Sequence, residues 1–326
     1  MLTLRPAARE HMPFRQQLLA DPATMAYNAP WFPPDGTIPF PEESWNTWLE
    51  KWTGHEPECF CGYVFDEELP VGEVCWHSHG AGMGVVIHAS HRGKGYGAQA
   101  LQLLARRAFS HPEISCLENT FESHRDPAMR LHLAAGFTPA GTDDQGMPRL
   151  CLTRSAWQET LLRRLTDAMC AWEKGVPQRI HHLIKVHGFA RQIAQREGMA
   201  PDALFTLEAA ALAHDIGIRP ALEQTGACPG PLQERLGAPE AERMLHALCF
   251  PAGVMSRVSF LVAHHHTTQG VDALDWQILL EADFLVNMIE NNASPEAIDA
   301  FRDKVFRTRE GLALLEWIRP TFHETE

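Results

Sequence analysis

Apolar positions follow two different periods along this chain, and the change falls near residues 154–155. Between 59 and 154, short β-branched or aromatic runs alternate with helical stretches. Gly62-Tyr-Val-Phe, Val71-Gly-Glu-Val-Cys-Trp and Met83-Gly-Val-Val-Ile-His are bounded by Gly, Pro and acidic turn residues, which predicts three strands. Residues 97–110 carry Leu101, Leu104, Ala105 and Ala108 on one helical face. Beyond Ser155 no stretch has strand character. Apolar residues instead recur at helical spacing over 157–172, 178–197, 201–214, 239–248, 254–265, 276–291 and 294–306. The pattern predicts two domains, α/β (α+β) over 1–154 and all-α over 155–326, with a linker helix at about 155–174. A length of 326 residues suits two domains.

Composition narrows the class. A hydrophobic fraction of 45% excludes a disordered chain. No apolar run approaches the roughly 18 residues of a membrane helix, and the N-terminus has no signal-type core. Eight scattered cysteines read as reduced thiols, so the expectation is a cytoplasmic protein. The formal charge is −13, shared as 12 Lys+Arg against 18 Asp+Glu before residue 155 and 16 against 23 after it. Neither half is a basic module, which argues against a nucleic-acid partner. Trp45, Trp48 and Trp52 form a helical stripe after Trp31; they either pack a helix on the sheet or wall a substrate pocket. Eighteen histidines are the unusual count, because imidazole is the commonest metal ligand.

The segment from Met83 to Ala98 runs from a strand through Arg92-Gly93-Lys94-Gly95-Tyr96-Gly97-Ala98 into a helix. Unpaired backbone N–H groups at such a helix start suit a phosphate or pyrophosphate, and Arg92 and Lys94 add charge. The Arg-x-x-Gly-x-Gly pattern on Arg92, Gly95 and Gly97 resembles the coenzyme A loop of the GNAT N-acetyltransferases. Asp126–Phe137 is similar to that family's later helix and Gly-Phe turn before a final strand. The resemblance covers roughly 1–154. It implies a GNAT-like mixed sheet with flanking helices and acetyl-CoA as cofactor. Val85, Val86 and Ile87 would align the thioester arm, the 92–98 loop would hold the pyrophosphate, and an amine would be the acetyl acceptor. The family's usual tyrosine acid is His132 here and its usual Asn is Arg125. His132 either replaces that acid or fills its space, and Glu73 is either the base or a solvated strand carboxylate.

In the second half, His214-Asp215 ends the apolar stretch 207–213, His182 lies on an amphipathic helix, Asp283 lies inside an apolar one, and His264-His265-His266 ends another. Ionisable groups in such places are costly unless paired or metal-bound, and two imidazoles with two carboxylates suit a divalent metal. The order His…His-Asp…Asp resembles the HD superfamily of metal-dependent phosphohydrolases over about 175–290. Arg179-Ile-x-His182-x-x-x-Val186 matches its first helix and residues 207–217 its second. The resemblance implies His182, His214, Asp215 and Asp283 as ligands of one divalent metal (Mn, Fe, Mg, Ni or Zn), with Asp215, His264 and His265 at the catalytic centre. His266 is the least expected of the three histidines. The substrate would be a nucleotide or other small-molecule phosphoester, with Arg179, Lys185 and Arg219 either phosphate contacts or solvated bases. Ile218 stands where single-metal members carry Glu, and His246 and Glu234 are the conceivable extra ligands. The expectation is therefore a bifunctional acetyltransferase and phosphohydrolase. The alternatives are an HD enzyme with an acyl-CoA sensor, or a regulator without turnover.

Overall fold

Two antiparallel sheets organise the first half of the chain. One has strands β1 (Leu2–Pro6), β2 (Phe60–Asp66), β3 (Leu69–His77) and β4 (Gly82–Ile87) in that spatial order. The other contains β5 (Cys116–Thr120), β6 (Thr138–Thr142) and β7 (Pro148–Thr153), with β7 in the centre. β2, β3 and β4 are the three strands that alternation predicts, and β6 is the strand expected after Gly136-Phe137. β1, β5 and β7 are short and were not anticipated. Nearly every residue of β2 is buried, as befits a strand covered on both faces. Cys61, Tyr63 and Phe65 turn to one side, against Met12, Leu19, Met25 and Trp45. These come from helices α1 (Met12–Ala20), α2 (Pro22–Asn28) and α3 (Trp45–Trp52). On the other side lies α4 (Tyr96–Ala108), burying Leu101, Leu104, Ala105 and Ala108 as its period requires.

The computed structural model describes residues 2–28 and 37–319. Trp31 and His323 lie outside them. By contacts the chain divides into Met1–Thr160 and Leu161–Glu326. The division falls within helix α6 (Arg154–Trp172), which follows α5 (Asp126–Ala134). The tryptophan stripe is a packing feature: Trp45 is buried, and Trp48 stacks on Trp52 at 6.1 Å with the Arg15 guanidinium 4.2 Å over its ring.

Among the described residues the second unit has no strand. It contains α7 (Pro177–Arg196), α8 (Pro201–Ala213), α9 (Ile218–Thr225), α10 (Gly230–Ala247), α11 (Ala252–Val262), α12 (Leu274–Glu290), α13 (Pro295–Val305) and α14 (Arg309–Ile318). Three expectations need correction. α8 stops at Ala213, and His214 and Asp215 sit in a 3-10 turn, His214–Gly217. α10 begins nine residues before Pro239. Its buried stripe is Gln233, Gly237, Ala241 and Leu245, and a stripe opening on Gln and Gly gives little apolar signal. α9 and α14 were also missed; α9 is one short amphipathic segment with only Ala221 buried. No helix among the described residues is long and apolar enough to cross a membrane.

Candidate functional site

The first unit is split between β4 and β5. Among the described residues β4 pairs only with β3, and β5 only with β7, so the facing edges of β4 and β5 present unpaired backbone groups to one cleft. That cleft is a cavity of about 700 Å³. It is lined by Val85, Val86 and Ile87 on one side, Asn119, Thr120 and Phe121 on the other, and by the glycine loop at its mouth. Of the ten residues expected to hold the cofactor, Arg92, Gly93, Gly95, Tyr96, Gly97 and Ala98 join the three strand residues in the lining. Lys94 does not; it is exposed, with its ammonium 5.9 Å from the Tyr96 ring.

Two glycines give the loop its shape. Gly93 and Gly95 have φ of +77° and +78°, the left-handed region that side chains avoid. Gly95 is the N-cap of α4 and offers no side-chain cap, so the first N–H groups of a thirteen-residue helix stay open to an anion. A Cβ on Gly97 would meet Leu131 at 3.4 Å. The charge expected from Arg92 is directed elsewhere. Its guanidinium donates to the carbonyls of Ala23, Thr24 and Ile87, fastening the loop to α2.

The expected acid and base fare differently from each other. His132 lines the cavity but is buried. The Asn119 side-chain oxygen accepts from the Thr120 N–H, so its amide nitrogen donates to His132 Nε2 at 2.9 Å. That leaves the proton on Nδ1, which donates to the Ala128 carbonyl at 2.8 Å. Burial lowers the pKa of His132. A neutral imidazole with both nitrogens engaged has no proton directed at the cleft, which fits the second of the two roles expected for His132, filling the space of the acid, better than the first. Glu73 does not line the cleft. Nor is it a solvated carboxylate: it is largely buried and forms a very short ion pair with Arg15. Arg125 is buried against Glu122, with its guanidinium 5.3 Å from the Tyr27 ring.

The second unit brings the four expected ligands together. His182 Nε2 lies 3.1 Å from Asp283 Oδ1, 3.5 Å from Asp215 Oδ2 and 3.3 Å from His214 Nε2. His214 Nε2 is 3.5 Å from both carboxylates. The outer nitrogens are fixed. His214 Nδ1 donates to the Ala211 carbonyl, and His182 Nδ1 donates to Glu290 at 2.9 Å. This pattern selects Nε2 of each ring as the inward donor atom. Burial alone would lower the pKa of His214, but Asp215 and Asp283 raise it to about 9. Burial would raise both carboxyls, yet the imidazoles hold them well below the usual range. The cluster holds protons where a cation could stand, and its nitrogen and oxygen donors fit a divalent metal.

The triple histidine is divided. His265 is buried, with Nε2 3.5 Å from Asp215 Oδ1 and Nδ1 donating to the Val262 carbonyl. His266, expected to be the most remote, has a ring nitrogen within 4.8 Å of Asp215 and His265 donor atoms. His264 is the one turned aside, stacked on Phe260 at 4.3 Å with Nδ1 on the Phe260 carbonyl. The turn after α11 rotates it away, because successive residues diverge by about 100°. His246 is exposed, and Glu234 caps the 264–267 turn through the His266 N–H and Thr267 hydroxyl. The three candidate phosphate bases have other partners: Arg179 pairs with Glu173, Lys185 with Glu290, and Arg219 with Glu223.

Three residues that sequence reading missed support the cluster. Gln233 makes a very short bond to Asp215 and contacts His265 at 3.3 Å. Asn287 donates to Asp283 at 2.8 Å. Glu290 orients His182. Asp283, Asn287 and Glu290 form a polar stripe at helical spacing on an apolar helix, and that signal was legible.

Two family models match separate stretches of the chain. The family model described as Acetyltransferase (GNAT) domain matches residues 1–138, and that of the HD domain matches 179–290. No curated protein matches the chain. Among solved structures, a spermidine N-acetyltransferase from Vibrio cholerae, in complex with CoA and spermine, is 18% identical with a TM-score of 0.40. It covers 48% of this chain and 97% of its own. A GNAT-family acetyltransferase from Streptococcus pneumoniae is 16% identical with a TM-score of 0.40, covering 47% and 99%. An acetyltransferase from Thermus thermophilus is 19% identical with a TM-score of 0.37, covering 47% and 97%.

Proposed function

We propose that this chain, which carries a GNAT acetyltransferase domain and an HD domain, both enzyme domains, is bifunctional, its two parts meeting near residue 154. The HD part hydrolyses a nucleotide or other small phosphoester. The GNAT part transfers acetyl from acetyl-CoA to an amine. The observation that carries the first half is the convergence of His182, His214, Asp215 and Asp283, with each inward nitrogen selected by a bond on the far side of its ring. A divalent metal bound there supplies Lewis-acid polarisation of a phosphoryl oxygen and activation of water. Around it, this chain's own residues fix the donors: Gln233 steadies Asp215, Asn287 steadies Asp283 and Glu290 steadies His182. His265, buried beside Asp215, would contact the phosphoryl oxygens.

In the GNAT part the open edges of β4 and β5 supply backbone donors and acceptors for an extended pantetheine arm, and the α4 N-terminus supplies the pyrophosphate site. Holding amine and thioester in one cleft lowers the barrier by orientation alone. With the amine's proton passing to water and the coenzyme A thiolate leaving, this reading requires neither an acid at His132 nor a base at Glu73. Their engagement by Asn119 and Arg15 favours, as a second reading, an acyl-CoA-binding module without turnover.

The test is direct. Protein reconstituted with each divalent metal is offered a panel of phosphoesters and nucleotides, and Asp215→Ala should lose both metal and release. No metal-dependent release across the panel would sink the hydrolase reading. Acetyl-CoA with an amine panel separates the other two: thiol release with acetylated product supports transfer, and binding without turnover supports the sensor.

A further inference from the structure

A second group of metal-ligating side chains lies far along the chain from the HD cluster. Cys116, Glu118 and Cys151 bring their two sulfurs and one carboxylate oxygen within 4.8 Å of one another. The sheet sets this up. Cys116 and Glu118 are two apart on β5 and so share a face. Glu118 stands directly opposite Cys151 on β7, which places that thiol on the same face. The alternate residues Leu117, Leu150 and Leu152 are fully buried on the other side. All three polar groups are half-buried, reachable from solvent yet held by paired strands.

Each group is turned toward a common point. The Cys116 thiol lies 3.9 Å from Glu118 Oε1, and the Cys116 and Cys151 sulfurs lie within 4.8 Å of each other. The other carboxylate oxygen of Glu118 lies 3.8 Å from Arg149, whose guanidinium also donates to the Ala140 carbonyl. Two thiolates and a carboxylate around a divalent ion leave one negative charge, and Arg149 balances it. A disulfide fits less well. The partner of Cys116 is Thr153, so Cys151 is its diagonal neighbour. Diagonal neighbours lie about 7–8 Å apart at Cα, beyond the reach of an unstrained disulfide.

We propose that Cys116, Glu118 and Cys151 form a binding site for a thiophilic divalent cation of the zinc type, with one position left for water. Bonds of about 2.3 Å to sulfur and about 2.0 Å to oxygen require only small side-chain closure from the observed positions. Two protons leave the thiols as the ion binds.

Cobalt(II) titration of the reduced full-length protein tests this. Thiolate-to-cobalt charge transfer absorbs in the near ultraviolet, and the nitrogen and oxygen donors of the HD cluster produce none. The expected result is a charge-transfer band whose final intensity corresponds to one thiolate-bound cobalt per chain. It should be lost in Cys116→Ser/Cys151→Ser, weakened in Glu118→Gln and kept in Cys59→Ser/Cys61→Ser. A wild-type protein without the band, or a band that survives the Cys116→Ser/Cys151→Ser exchange, overturns the proposal. Cadmium-113 NMR of the wild-type protein gives an answer independent of how any variant folds. A resonance in the range for two thiolates supports the site, and resonances from nitrogen and oxygen ligation alone refute it.

Discussion

Gly217→Ala should damage the HD cluster although it touches no ligand. Gly217 closes the turn that carries His214 and Asp215. A Cβ there would stand 2.1 Å from the Gln233 carbonyl oxygen and 2.9 Å from the Gly237 Cα and N. All three are backbone atoms of α10, so no side chain can rotate out of the way. Restoring ordinary contact requires the turn and α10 to part by about 1 Å. The backbone at Gly217 is helical, with φ of −75°, so alanine adds no torsional strain and would restrict the unfolded chain by about 0.4–1 kcal/mol in favour of folding. Overpacking works against it with about 1–3 kcal/mol, and the backbone clash puts the net at the upper end, about 2 kcal/mol. For a unit of this size that corresponds to a melting point lower by roughly 4–8 °C. The same displacement draws Gln233 away from Asp215, a supporting contact of the kind worth about 10–100-fold in metal affinity. Differential scanning calorimetry and chelator competition measure the two effects. A variant that melts with the wild type and holds metal equally well would refute the close approach and the role given to Gln233.

Other outcomes follow from the same geometry. Gly97→Val should abolish coenzyme A binding in calorimetry while leaving the fold intact, since its side chain enters the cleft toward Leu131 and Ile87. Unchanged affinity would move the cofactor elsewhere. His214 has a folded pKa raised from 6.5 to about 9, so metal binding at pH 7 should release about one proton from it. Titrations in buffers of different ionisation enthalpy count that proton, and none released would contradict the inward ion pairs. For the metal-free protein the sign is fixed: this stabilisation is complete below pH 6.5 and is lost as pH rises through about 9, whereas that from the depressed Asp215 and Asp283 is present above 3.8 and lost at lower pH. Melting points across pH should show that plateau, and a melting point that climbs from pH 7 to 9 without metal would contradict it. Glu281→Ala should cost about 3 kcal/mol or more in urea unfolding, because that buried carboxylate accepts from the Arg307 and Thr308 N–H groups, the Thr308 hydroxyl and Gln277. A loss under about 1 kcal/mol would mean those donors find water.

Periodicity carried most of the architecture because burial leaves a trace in residue type. The strand pattern of β2–β4 and the helical stripes of α4, α7 and α12 were legible for that reason. α10 was not, since its buried stripe opens with Gln233 and Gly237: one residue is buried to hold Asp215 and the other to let two backbones meet. β5 and β7 failed for a related reason. Each is a short strand with one polar face, and on β5 that face presents Cys116 and Glu118. Where buried positions serve a polar partner or a close approach, hydrophobicity no longer marks the element.

The sites divide along the same line. His182, His214, Asp215 and Asp283 were readable because an ionisable group amid apolar helix residues is conspicuous and its presence needs a cause. Of their supports, Asn287 and Glu290 continue the polar stripe that Asp283 begins on an apolar helix, whereas Gln233 is an ordinary polar residue until geometry sets it against Asp215. His264 and His266 exchange the places that a continuing helix would give them, because α11 ends at Val262. The cleft between β4 and β5 is lined by backbone of the expected strand and glycine positions, which periodicity and turn residues mark in sequence. His132 is marked by standing where the resembled family has a tyrosine, and Glu73 by being a carboxylate on a central strand. Type does not reveal that Asn119 and Arg15 already hold them, so an acid or base read from sequence needs its hydrogen-bond partners identified before it is given a proton to move.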